Sequence, residues 1–261
     1  MLGLSLVFIR DEGAPSMPWK EAGAVAVVSP HGSFPVTQVG FAMALLRLDP
    51  SLCTMRLRNM GASVLFFVPG LREFLLLMGV RDASRRVCSR LLGEGYTVAI
   101  CPGGNHEMAS TSHTHEAIYY QRRLGFVRLA MAAGKPLLPC YAFGENQLFI
   151  TSSVLLKARQ WVARKLRVGI PIMFGRGWLL YGPPLPTATT FVMGRLVEVG
   201  PPNQSPSDAE VDAVFQRYLD EISRLWASNA FKYLPAAVAA NGLRLELIGV
   251  GPLRHTVDAK P

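Results

Sequence analysis

Three apolar stretches of strand length punctuate the first half of the chain: Ala24 to Val28, Tyr96 to Cys101 and Leu137 to Phe143. Each is rich in β-branched or aromatic residues and runs into Gly, Pro, Ser or Asn, which is how a strand buried on both faces reads. Between them, apolar positions recur at helical spacing over Gln38 to Leu48, over Ala83 to Leu92 behind Asp82 as N-cap, and over Arg122 to Ala133 before Gly134. This alternation predicts an α/β fold with a mixed, largely parallel sheet flanked by helices. Val154 to Leu166 reads as a further helix, and Ile172 to Phe174, Leu179 to Tyr181 and Phe191 to Met193 as strand-like pieces. Asp208 to Ser228 reads as a long final helix whose capping box is Ser207 with Glu210. The linker-like GPPNQSP of Gly200 to Pro206 precedes only that helix. The pattern therefore predicts one domain over residues 24–233, a short segment 1–23 before it, and a tail 234–261 without clear period.

Two stretches bear on a membrane. Gly61 to Val80 approaches the roughly 20 apolar residues a spanning helix needs, yet Pro69-Gly70 breaks it and Arg72 and Glu73 charge it. Its halves read either as an interfacial hairpin or as two buried core segments joined by a turn. Val154 to Arg167 interleaves Lys157, Arg159, Arg164, Lys165 and Arg167 with Leu155, Leu156, Trp161, Val162 and Leu166. That is a basic membrane-surface helix or the solvated face of a packed one, with Arg159 falling on the apolar side.

Composition favours lipid contact. Of 261 residues 50% are hydrophobic and 17% charged, and the mean hydropathy is +0.25, which excludes a disordered polyelectrolyte. The net charge of +9 comes from 27 cations, of which 21 are Arg and six Lys. Arg matches phosphate oxygens two at a time, and here it is scattered rather than gathered in a stripe with stacking aromatics. The expected partners are membrane lipid or a phosphorylated co-substrate, and not nucleic acid. Cys53, Cys88, Cys101 and Cys140 form no C-x-x-C pair, which argues against a zinc ribbon or a secreted disulfide framework. Met1 to Ile9 is too short for a signal-peptide core, so no secretion signal is expected.

Loops leaving the carboxyl ends of parallel strands collect at one edge of an open sheet, where ligands bind. Two are distinctive: Ser29-Pro30-His31-Gly32-Ser33-Phe34, and Pro102-Gly103-Gly104-Asn105-His106-Glu107. If their strands run parallel, His31 and Glu107 share that edge. A His with an ordinary pKa of about 6.5 is a usable general base, and a carboxylate within reach would fix its tautomer. A His that merely bonds its own turn reads identically. Gly103-Gly104 suits positive φ and close backbone approach, in a site or in an ordinary tight turn. His106, His113, His115 and Glu116 match no metal-binding spacing and read as a polar surface loop, so no metal is expected. No G-x-S-x-G, P-loop or dinucleotide fingerprint occurs.

Larger blocks carry a resemblance. PGGNHEM at Pro102 to Met108, RRLGFVRLAMAAGKPLLPCYAFGENQLF at Arg122 to Phe149 and FGRG at Phe174 to Gly177 resemble the diacylglycerol acyltransferase type 2 and monoacylglycerol acyltransferase family. So do PGLREFLLLMGV at Pro69 to Val80, EVDAVFQRYLDEISRLW at Glu210 to Trp226, and SPHG at Ser29 to Gly32, which is similar to that family's HPHG. The similarity runs in the family's order over approximately residues 24 to 233. It implies a glycerolipid acyltransferase-like fold and transfer of a fatty acyl group from acyl-CoA to mono- or diacylglycerol, in triacylglycerol synthesis. The implied place is the endoplasmic-reticulum membrane, with the site facing the cytosol, acyl-CoA as co-substrate and no other cofactor.

By the same resemblance His31 is the base and Glu107 its partner. Amides near Gly32, Gly103 and Gly104 would receive the oxyanion, and Arg72 and Arg176 would hold the CoA phosphates. The chain departs from the family in having Ser29 for the first His of its motif, and only about 20 residues precede the first expected strand, where family members usually carry a membrane anchor, so that anchor is not expected in segment 1–23. The Asp that related acyltransferases carry five positions after the His is Val36 here. An inactive lipid-binding homologue and an enzyme with another acceptor, a wax alcohol or lysophospholipid, remain alternatives.

Overall fold

The structure is a computed structural model that describes residues 5–14, 23–37, 56–166, 169–253 and 256–260. Its strands along the chain are β1 (Ser5–Arg10), β2 (Val25–Ser29), β3 (Leu57–Gly61), β4 (Arg81–Asp82), β5 (Thr97–Ile100) and β6 (Glu116–Tyr120). They continue with β7 (Leu137–Phe143), β8 (Ile150–Thr151), β9 (Met173–Phe174), β10 (Ala188–Met193), β11 (Leu243–Leu247) and β12 (Gly251–Pro252). The helices are α1 (Leu71–Leu77), α2 (Arg85–Gly93), α3 (Gly104–Ser110), α4 (Gly125–Ala133), α5 (Leu156–Leu166), α6 (Asp208–Tyr233) and α7 (Ala236–Ala240).

Seven strands form one sheet in the order β1-β10-β7-β2-β5-β3-β4. Every neighbouring pair is parallel except β10 with β7. The α/β class with a largely parallel sheet is thus as the hydrophobic pattern predicts. Strand β7 shows why its sequence is continuously apolar. Leu137, Tyr141 and Phe143 join the core under α6, while Leu138, Cys140 and Ala142 join a second core on the opposite face with Ala26, Val28 and Phe191.

Helix α6 is fixed at its start by the anticipated capping box. The Ser207 hydroxyl accepts the Glu210 N–H at 3.3 Å, and the Glu210 carboxylate takes the Ser207 N–H at 2.8 Å. Val211, Val214, Phe215, Tyr218, Leu219, Ile222, Leu225 and Trp226 recur at steps of three and four and are buried. Truncating Trp226, which is fully buried, would cost about 3–5 kcal/mol. Helix α4 ends on Gly134 at φ +59°, the left-handed turn a C-terminal glycine permits.

Several expectations need correction. Ser84, not Asp82, is the N-cap of α2, and Asp82 lies in β4 with its carboxylate accepting the Ser84 N–H at 2.8 Å. Leu179 to Tyr181 is no strand, because the 3₁₀ turn Arg176–Trp178 redirects the chain and leaves only a bridge from Leu180 to Phe174. Ser5–Arg10, part of the apolar start, is the edge strand β1. The aperiodic tail contributes β11, which pairs in parallel with β6 and buries Leu243 and Leu245. The helix read over Gln38 to Leu48 lies outside the described residues, as does Arg167.

Of the two readings of Gly61 to Val80, the core reading is excluded. No residue of the 3₁₀ turn Ser63–Phe67 or of α1 is buried, and Phe67, Phe74 and Leu77 are 82%, 55% and 76% exposed. Among the described residues no helix is long and apolar enough to cross a membrane. In α5, Arg159 is not a surface cation. Its buried guanidinium donates to the carbonyls of Val154 at 3.0 Å, Ser152 at 2.5 Å and Ala109 at 3.4 Å, which is why it sits on the apolar side.

Candidate active site

Strands β7, β2 and β5 are adjacent and parallel, so the loops at their carboxyl ends meet at one edge. The β2 loop carries His31, the β5 loop leads through Gly103 into α3 with Glu107, and the β7 loop carries Glu145. The first two were singled out from sequence. Glu145 was not, although Gly144-Glu145-Asn146 punctuates its strand as Pro102-Gly103-Gly104 does.

His31 and Glu107 do come together, but through a different atom than expected. The Glu107 Oε1 accepts the main-chain N–H of His31 at 2.6 Å, and Oε2 accepts the Tyr119 N–H at 3.4 Å. The ring is held by its own turn: His31 Nδ1 lies 3.1 Å from the Gly32 carbonyl. A carbonyl only accepts, so this bond requires the proton on Nδ1 and leaves Nε2 as the unprotonated nitrogen. Burial lowers the imidazole pKa below 6.5, outweighing the carbonyl's opposite pull, so the ring is neutral at pH 7.

The loop is clamped at its far end too. Glu145, 2% exposed, accepts the Val36 N–H at 2.8 Å, the Thr37 N–H at 3.0 Å and the Thr37 hydroxyl. Both clamping carboxyls are pushed up by burial, Glu107 to about 8 and Glu145 to about 7, against the amides that stabilise their charged forms. Glu107 is predominantly protonated at pH 7, the buried Glu116 nearby being a smaller contributor to the same rise. Glu116, expected in a surface loop, is 1% exposed and gathers Tyr141 Oη, Asn146 Nδ2 at 3.0 Å and Gln147 Nε2 at 2.9 Å. A charged side chain at a strand start was misread because its three partners are remote in sequence.

The glycines serve distinct purposes. Gly32 stands at φ +71°, and a Cβ there would lie 2.8 Å from Glu145 Cγ. Gly103 needs no positive φ, at −83°, but a Cβ would lie 2.2 Å from Glu107 Oε2 and 2.8 Å from the Tyr119 carbonyl. Gly104 is the conformational one, at φ +49° with open space around it.

Ser29 ends β2 fully buried beside the Tyr218 phenol, so the departure from HPHG falls in the core. Arg72 is exposed on α1, and Arg176 Nε donates to the Pro184 carbonyl at 3.1 Å. No hydrogen bond joins either to the His31–Glu107 pair. Among the described residues the histidines form no metal-ligating group: His113 Nδ1 bonds the Thr151 hydroxyl at 3.1 Å, His115 Nδ1 the Thr114 hydroxyl at 2.7 Å, and the His106 ring packs against Tyr119. A polar cavity of about 140 Å³ opens beside Glu107, lined by Ser110, Thr111, His115, Tyr119 and Arg244. It is far below the roughly 300 Å³ at which ligand pockets begin.

Comparison with known proteins bears on the family of the chain. The chain is 30% identical over 177 residues to diacylglycerol O-acyltransferase 1 of Saccharomyces cerevisiae, covering 64% of this chain and 42% of that protein. It is 29% identical over 219 residues to human 2-acylglycerol O-acyltransferase 3, covering 76% and 61%. The chain spans about half the length of the curated relatives it matches. Among solved structures, the 1-acyl-sn-glycerophosphate acyltransferase of Thermotoga maritima covers 84% of this chain and 71% of its own, at 14% identity and a TM-score of 0.46. The family model for diacylglycerol acyltransferase matches residues 20–238, and the chain belongs to that family.

Proposed function

We propose that the chain transfers a fatty acyl group from acyl-CoA to a hydroxyl of mono- or diacylglycerol, with His31 as general base. The observation that carries this reading is the place of His31 in the loop at the carboxyl end of β2, its ring pinned through Nδ1 to the Gly32 carbonyl so that Nε2 is the nitrogen left without a proton. Nε2 takes the acceptor's hydroxyl proton as that oxygen attacks the thioester carbonyl. The oxyanion that forms is met by amides of Gly32 or Gly103-Gly104, none of which donates to another described residue. Collapse expels the CoA thiolate, which takes the proton back from the imidazolium. Glu107 and Glu145 hold the loop's backbone, Glu107 from β5's side and Glu145 from β7's.

The place of reaction is a membrane surface, that of the endoplasmic reticulum in this reading. The apolar hairpin leaves the carboxyl end of β3, and α5 packs on α3, which follows the carboxyl end of β5. Apolar surface therefore flanks the edge where His31 stands, with Trp161 and Trp178 at 54% and 72% exposure. The test is to incubate the purified chain in micelles with radiolabelled oleoyl-CoA and a panel of monoacylglycerol, diacylglycerol, wax alcohol and lysophospholipid. Label in di- or triacylglycerol is the expected result. Tight acyl-CoA binding with no labelled product would overturn the reading in favour of a binding protein, and label in another product would reassign the acceptor.

A further inference from the structure

The outer edge of the large sheet carries charge that acyl transfer does not use. Arg56 and Arg58 on β3's side and Arg81 on β4 stand along it, around Tyr96. The guanidinium carbons of Arg58 and Arg56 lie 4.7 Å and 5.6 Å from the Tyr96 ring centre. Arg56 Nη1 donates to the Glu94 carbonyl at 3.1 Å, Arg58 Nη1 to the Leu57 carbonyl at 2.9 Å, and Arg81 Nη1 to the Val80 and Leu76 carbonyls at 2.9 Å and 3.1 Å. Carbonyls and a ring thus position the three cations without neutralising them. Among the described residues none of the three pairs with a carboxylate. The Glu94 carboxylate faces Arg90 at 3.6 Å, and Asp82 takes the Ser63 hydroxyl and the Ser84 N–H. Burial first, and then the neighbouring Arg58 and Arg90, disfavour the Arg81 charge, a cost that a bound anion would offset.

This row ends at the base of the exposed hairpin, because the carbonyls that hold Arg81 belong to Leu76, in the last turn of α1, and to Val80, which immediately precedes Arg81. Phe67, Phe74 and Leu77 project from the hairpin into open space. Large apolar side chains beside uncompensated guanidiniums complement a surface that is hydrocarbon below and phosphate above. A second segment has the same sign: no Asp or Glu occurs between Asn146 and Val197, a stretch that exposes Trp161, Trp178 and Leu179.

We infer that the β3–β4 edge docks on an anionic bilayer, with Phe67, Phe74 and Leu77 entering the acyl layer while Arg56, Arg58 and Arg81 bind headgroup phosphates. This rests on the reading that the chain works at a membrane surface. It adds a headgroup preference and the residues that set it.

The test is co-sedimentation of the full chain with vesicles of phosphatidylcholine alone and of phosphatidylcholine with phosphatidylserine, at low and raised salt. The wild type should bind the mixed vesicles more tightly, and less so as salt rises. At about 1 kcal/mol per cation, Arg58→Gln with Arg81→Gln should weaken that binding about 30-fold. Arg58→Lys with Arg81→Lys should keep most of it, which separates charge from folding. Equal binding to both vesicles, or a Gln pair that binds like the wild type, would overturn the inference. So would full displacement by excess inorganic phosphate, which would mark a free-phosphate site. Acyl transfer in micelles is read separately: its absence alongside intact, Arg-dependent vesicle binding would sink the proposed activity and leave this inference standing.

Discussion

Replacing Glu107 by Gln separates two accounts of how the His31 loop works. If the carboxylate orients the imidazole and stabilises the imidazolium, its amide should cost about 10⁴-fold in turnover, as when such a triad loses its acid. The geometry predicts otherwise. Glu107 touches the His31 main chain at 2.6 Å, and with its pKa pushed up to about 8 it is already mostly uncharged at pH 7. Gln keeps a carbonyl for the His31 N–H but turns its NH₂ toward the Tyr119 N–H, 3.4 Å from the oxygen it replaces. One buried donor then faces another, at a cost of about 1–3 kcal/mol of stability. Turnover should fall less than about 10-fold, since Nδ1 remains on the Gly32 carbonyl. Glu107→Ala frees both amides and leaves a void, and should destabilise by about 3–5 kcal/mol and disorder the loop. The assay is labelled acyl transfer in micelles at matched protein concentration, beside thermal melts and circular dichroism of each variant. A Gln variant that melts within a few degrees of the wild type yet has lost about 10³-fold or more in turnover would refute the backbone-clamp reasoning.

Other outcomes follow from the same groups. Glu107 at about 8 and Glu145 at about 7 keep protons that the unfolded chain releases near 4.5, so their stabilisation is lost as pH rises through those values. His31 has the opposite sign, but only below 6.5. Thermal melts should therefore show stability falling between about pH 6.5 and 8, by about 2 kcal/mol from Glu107, with Glu107→Gln flattening the slope; a rise across that window contradicts it. Gly32→Ala places a methyl 2.8 Å from Glu145 Cγ at φ +71°, and should cost at least about 1–2 kcal/mol in a melt and most of the turnover. Wild-type rates for that variant would mean the turn has room the structure denies it.

How much of this is legible in the sequence depends on where each signal is stored. Strands β2, β5 and β7 are buried on both faces, so their apolar runs are unbroken, and helix α6 writes its start in Ser207 and Glu210 and its inner face in residue spacing. Strand β6 opens on Glu116, whose charge is satisfied by Tyr141, Asn146 and Gln147, far along the chain. Strand β11 is five residues whose burial depends on pairing with β6. No local pattern announces either one. For the site, parallel neighbours suffice to bring His31 and Glu107 to one edge, but which atom of His31 the carboxyl meets is a matter of ångströms. Glu145 escaped because its partners, Val36 and Thr37, are backbone and hydroxyl groups that advertise no chemistry. At Gly103 the need for glycine comes from the Glu107 carboxyl against it rather than from its φ, which no local spacing reveals.

The most direct test of the central claim is turnover of His31→Ala in micelles, with acyl-CoA binding measured on the same sample. The account predicts that binding persists while transfer to the acceptor hydroxyl falls about 10²- to 10⁴-fold. Turnover within a few-fold of the wild type, in a folded variant, would contradict it and remove His31 from the chemistry.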